Sequence, residues 1–133
     1  MDSVKLFFIT FGSFLAIDAI WLTRVAPKLY KEQIGHLMAE SPNLGAAAAF
    51  YILYFIGLIA FVIQPALAKQ SISYALTRGA LFGLVAYATF DLTCMAVFKD
   101  WPLKITLIDL TWGAVLSASV CALATFLAIK FIK

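Results

Sequence analysis

Charge is what this sequence has least of. Aspartate, glutamate, lysine and arginine make up 13% of the 133 residues, about half the share of an ordinary soluble domain. A soluble chain of 14.6 kDa with so few charges could not cover its surface with polar groups, and the mean hydropathy of +0.98 points to a membrane protein. Histidine occurs once and cysteine twice. Cys94 and Cys121 both fall in apolar stretches, with no CxxC or Cys/His spacing, so they read as reduced, buried packing thiols. No metal set or cofactor is expected. The net charge of +3 comes from bases spread singly rather than clustered, which argues against nucleic acid as a partner. The length leaves room for one integral domain and none for a separate soluble catalytic one. The first apolar run carries Asp18 and Trp21 and lacks a small-residue cleavage pattern, so it is not expected to be a cleaved signal peptide.

Long apolar runs are abundant. Four are long enough to cross a bilayer as helices, which takes roughly 20 residues. They run over about Leu6–Thr23, Gly45–Ala68, Tyr74–Phe98 and Ile105–Ile129. A four-strand barrel cannot close in lipid, so the expected fold is an all-α membrane protein, a four-transmembrane-helix antiparallel bundle. Short links at Lys69-Gln70-Ser71 and between Lys99 and Lys104 favour antiparallel neighbours. The first connection is longer. Pro27 suits a helix start, and Tyr30, Ile34, Leu37 and Met38 recur at helical spacing, which predicts a short amphipathic interfacial helix over about 27–40. The lone His36 falls inside it. Lysines and arginines tie at five on each side, so only the amino-terminal charge leans towards cytoplasmic termini in a bacterial inner membrane. Such a tie also permits insertion in both orientations.

All charged residues lie in connections or near span ends except Asp18, Asp91 and Asp109. A central Asp costs on the order of 2.5–3.5 kcal/mol, and intramembrane acids are functional candidates by default. At about 1.5 Å per residue, Asp18 lies roughly 9 Å before Arg24, Asp91 roughly 12 Å before Lys99 and Asp109 roughly 8 Å after Lys104. The three carboxyl groups therefore share one leaflet. Trp21, Tyr51, Tyr54, Tyr87, Thr93, Thr106 and Trp112 fall at similar depth, while the opposite halves of the spans are almost wholly aliphatic, Phe, Gly and Ala. This pattern predicts a polar cavity in one leaflet above an apolar plug.

Structural readings stand beside the functional ones. Thr106-Leu107-Ile108-Asp109 matches a capping box with Asp in the usual Glu position. Asp18 could snorkel towards Arg24 or Lys28, the tryptophans could form an interfacial belt, and the tyrosines could be packing groups. Gly79 and Gly83 form a GxxxG step, and Gly113, Ser117 and Cys121 form a small-residue stripe; either face suits a tight bundle or a homodimer seam.

At these residues the chain resembles the bacterial family of predicted four-span membrane proteins catalogued as domain of unknown function two-one-seven-seven. The resemblance runs through Asp18-x-x-Trp21, Tyr30 with Gly35-His36-Leu37, Pro42-Asn43 and Phe50-Tyr51-x-x-Tyr54. It continues over 79–93 and closes with Trp101-Pro102 and Asp109-x-x-Trp112-Gly113. It implies membrane location and topology, and no reaction.

Three functions fit the residues. In a small lipid or isoprenoid enzyme, clustered acids resist ionisation, so one carboxyl stays protonated. Asp91 would then protonate an alkene or vinyl ether, with Asp18 or Asp109 and the aromatic faces stabilising the cation. A proton-coupled transporter or binder of a cation or amphiphile would exchange protons at the same acids. A non-catalytic subunit would pair them with a partner's bases.

Overall fold

The computed structural model describes residues 2–35 and 44–131. Its elements are α1 (Asp2–Ile20), a π turn at Trp21–Val25, α2 (Ala26–Ile34), α3 (Leu44–Leu58), a second π turn at Ile59–Ile63, α4 (Gln64–Lys69), α5 (Ile72–Val97) and α6 (Leu103–Phe131). Among the described residues, four helical stretches are long and apolar enough to span a membrane: Val4–Val25, Leu44–Lys69, Ile72–Val97 and Leu103–Phe131. They cover the four expected runs.

Proline shapes two of these stretches without ending them. A helical proline lacks the N–H that would bond the carbonyl four residues back, and its ring crowds that carbonyl. For Pro27 that residue is Thr23, inside the first π turn; for Pro65 it is Phe61, inside the second. Each helix widens by a residue where the proline would otherwise clash. Pro27 stands in the first turn of α2, as a helix-starting proline does, and Pro65 stands in the first turn of α4.

The first π turn also redirects the chain. On a straight helix Tyr30 would lie about 18 Å beyond Asp18. Yet Asp18 bonds Trp112 and Tyr30 bonds Asp109, two α6 residues only about 4.5 Å apart in rise. The helix must therefore turn at Trp21–Val25 and carry α2 back over α6. Pro27, Lys28, Lys31 and Glu32 are exposed on α2, whereas Leu29, Tyr30 and Ile34 are half-buried. The rest of the segment expected as an interfacial helix, His36 included, lies outside the described residues.

Helix α6 is the hub. α1, α2, α4, α5 and the second π turn all pack on it, and Leu116, Val120, Cys121 and Ala124 are fully buried along it. Its closest partner is α5. An added Cβ on Gly79 would meet the Ser117 carbonyl at 2.8 Å, and one on Gly83 would collide with the Gly113 carbonyl and the Ser117 side chain. One on Gly113 would collide with the Tyr87 ring. Positions descend on α5 as they ascend on α6, so these two helices run in opposite directions. The glycine faces considered for a homodimer seam are closed against each other within one chain, because only hydrogen at Cα lets the backbones approach this far.

The turn between α4 and α5 uses Gln70 in the left-handed region (φ 49) and Ser71 as N-cap, its hydroxyl accepting from the Tyr74 N–H at 3.0 Å. The α5–α6 link is braced by Trp101 Nε1, which donates to Thr106 Oγ1 at 3.0 Å. Helix α6 starts at Leu103, so Thr106 lies inside it and the capping-box reading of Thr106 and Asp109 is replaced by this indole bond. Cys94 and Cys121 are buried free thiols.

Candidate functional site

Helix α6 contributes Asp109 and Trp112 on one face, three residues apart. Opposite them, α5 presents Asp91 and Tyr87, α1 presents Asp18, and the π turn presents Trp21 and Leu22. α2 contributes Tyr30, and α3 contributes Phe50 and Tyr51. Together with Ala86 and Phe90 these residues line a cavity of about 440 Å³, within the usual range for small-molecule sites. All three intramembrane carboxyl groups share it, and no lysine, arginine or histidine is among the described lining residues.

The polar contacts fall into two arms. In the first, Trp112 Nε1 donates to Asp18 Oδ1 at 3.2 Å. This contact takes the place of the alternative in which Asp18 snorkels towards Arg24 or Lys28. In the second, the Tyr30 hydroxyl, with the Trp21 indole beside it, donates to Asp109 Oδ1. The Asp109 carboxyl in turn faces that of Asp91 at close range. The arms join where Trp21 and Trp112 stack, centroids 4.7 Å apart and planes within 10°. Burial first, then the bond to Asp109, push the Tyr30 phenol above its ordinary value of 10.0, so it stays a donor.

Asp91 is the most constrained of the three acids. It is 0% exposed, and neither oxygen receives an N–H or hydroxyl from the described chain. Its neighbour is another acid. Buried polar groups are normally satisfied, and one left unmet costs about 1–3 kcal/mol.

Apolar side chains form the rim. Leu22, Phe50 and Phe90 line the cavity yet are 48%, 45% and 59% exposed. Below, α3 and α5 close together where Gly57 meets the Phe82 ring. Phe90 is held edge-on by Trp101, centroids 5.9 Å apart.

Seven of the expected site residues line the cavity: Asp18, Asp91, Asp109, Trp21, Tyr51, Tyr87 and Trp112. Three do not. Tyr54 is buried one turn below, hydrogen-bonded to Ser117 Oγ. Thr106 is occupied by Trp101, and Thr93 is exposed on the outer face of α5, two residues and therefore about 200° around the helix from Asp91. Sequence reasoning missed Tyr30 as a site residue by assigning it to the apolar stripe of a surface helix. The signal for it was Pro27, which bends the chain back. The plug is also less apolar than expected. Thr10, Ser13, Ser117 and Thr125 are buried within it. Thr10 bonds the Leu6 carbonyl at 2.8 Å, and the hydroxyls of Ser13 and Thr125 have no partner among the described residues.

Fold and site together define a small integral membrane protein with an acidic, aromatic-walled cavity set into one end of its helices. The chain belongs to the family described as Predicted membrane protein (DUF2177), which it matches over residues 3–127. No curated protein and no solved structure matches it.

Proposed function

We propose that the protein is a lipid-modifying membrane enzyme whose Asp91–Asp109 pair protonates a carbon–carbon double bond of an amphiphile. The observation that carries this reading is Asp91 itself, fully buried at the cavity wall with only a second carboxyl against it. A carboxyl–carboxyl contact needs a proton between its oxygens, because an ionised carboxylate is an acceptor only. A shared proton that reaches the low-dielectric cavity through Asp109, the less deeply buried member of the pair, is a general acid. Tyr30, donating to Asp109, orients that carboxyl and stabilises the charge left when the proton departs.

The step balances simply. The π electrons of the double bond form a C–H bond with the shared proton, and the adjacent carbon becomes cationic. The Asp18 carboxylate and the faces of Trp21 and Trp112 stabilise that cation. Water adds to it and returns a proton to the pair. With a vinyl ether the hydrated product collapses to an aldehyde and an alcohol. The lining supports this charge preference, since its ionisable groups are acids and its walls aromatic. In this reading the exposed face of α2 lies at the membrane interface, and the membrane is a bacterial cytoplasmic one with both termini inside.

The test is purified protein reconstituted with a membrane lipid extract in deuterated water. The expected product carries one deuterium on the carbon that was protonated, preserved by immediate reduction of any aldehyde with borohydride, and Asp91→Asn makes none. Lipid profiles that are identical for the wild type and Asp91→Asn, with no deuterium fixed, would overturn the reading. Proton or cation flux in vesicles that stops in Asp91→Asn would replace it with transport.

A further inference from the structure

A second concavity adjoins the acidic one. It lies between α1 and α3, has a volume of about 370 Å³ and presents no polar surface. Phe14 and Phe55, both buried, form its floor; Phe11, Leu15, Ala48 and Ile52 are among its walls. The shape follows from the sequence. Phe7, Phe11 and Phe14 recur at helical spacing on α1, and all three rings pack around Phe55, with centroids 5.9, 5.7 and 5.0 Å away. Bulky rings at one seam hold α1 and α3 apart and leave a trough along it.

The trough abuts the acidic cavity, with Leu22 and Tyr51 standing between the two and lining both. It extends from Phe7 on α1 to Leu22 in the first π turn, and the α1 part alone rises roughly 20 Å, against a hydrocarbon core of about 30 Å. An exposed apolar surface facing lipid needs no explanation by itself. A concave aromatic trough that ends beside a cavity holding three carboxyl groups does, since together they match a molecule with a long chain and a head of suitable charge.

We infer that the substrate is a membrane amphiphile that lays one hydrocarbon chain in the α1–α3 trough and places a head without negative charge in the acidic cavity. The inference rests on the proposed function and extends it to the substrate's shape. An anionic head would meet Asp18, Asp91 and Asp109 with no base in the lining to offset them. The chain passes from trough to cavity between Leu22 and Tyr51, so the bond that reaches Asp91 is the one next to the head. The substrate class is therefore a neutral or cationic lipid unsaturated beside its head group, as in a vinyl ether.

Two photoreactive hexadecylammonium probes test this in nanodiscs, one with a diazirine beside the amine and one with it at the chain end. Adducts are mapped by peptide mass spectrometry. The head probe is expected to label the segment around Trp21 and Tyr51, and the tail probe the segment around Phe7 and Phe11. Ala48→Trp, which fills the trough from an exposed helix position, should abolish the tail-end adducts. The smaller Ala48→Leu should weaken them, and Ala49→Trp, one residue away and outside the lining, should leave them intact. Retained burial of Cys94 and Cys121 against a thiol dye shows that each variant is folded. Head labelling at Trp21 with tail adducts scattered over all lipid-facing helices would overturn the trough while leaving the acidic site standing. No focused labelling by either probe would overturn both.

Discussion

Replacing Asp91 by Asn separates a catalytic role from a structural one, because the two predict opposite signs. Asp91 is fully buried, and both its oxygens lack an N–H or hydroxyl donor. A buried polar group left unmet costs about 1–3 kcal/mol, a penalty the native fold carries. Asparagine has nearly the same shape and brings its own N–H₂ donor to Asp109, so the contact no longer depends on a proton held between two acids. Asp91→Asn should therefore stabilise the protein by about 1–3 kcal/mol while abolishing activity, as expected of a strained functional group. For a chain of this size that is roughly 3–5 °C in Tm per kcal/mol. The two buried free thiols provide the assay, since a thiol-reactive fluorophore reports unfolding of detergent-solubilised protein as Cys94 and Cys121 emerge. A fall in Tm, or loss of monodisperse folded protein, would refute the reasoning and identify Asp91 as a packing element.

Other outcomes are equally specific. Gly83→Ala should lower stability by about 1–3 kcal/mol, because its Cβ meets the Gly113 backbone. Gly12→Ala, with nothing within 4 Å, should be close to neutral; equal effects in the same thermal assay would refute the seam. Tyr30→Phe should cost about 1–2 kcal/mol by removing the donor to Asp109. The Tyr30 phenol is raised in the folded state, so above pH 10 the unfolded chain releases its proton first and wild-type stability falls as pH rises. Tyr30→Phe should lose less over that window in denaturation followed at several alkaline pH values; parallel curves would refute the buried bond. With the bases tied across the membrane, thiol accessibility of single exposed cysteines should find both termini inside, and lysines added to the opposite side should be enough to reverse the chain.

Much of this protein is written locally. Run length and composition determine four membrane helices, because a span must be apolar over about 20 residues whatever it packs against. Helix rise converts position into depth, so the common level of Asp18, Asp91 and Asp109 could be read before any packing was known. The small-residue stripes marked close helix approach, though not which surfaces would meet.

What only the tertiary structure decided is direction around each helix and which groups touch. Those depend on how the helices are rotated, and the two π turns reset that rotation where Pro27 and Pro65 crowd the carbonyls of Thr23 and Phe61. Asp91 meets Asp109, while Asp18 is held by Trp112. Thr93 faces outward, and Tyr30, far from the acids along the chain, closes over them. Depth is a one-dimensional property that sequence carries. Contact also requires azimuth and partner, and these come from packing the helices onto α6.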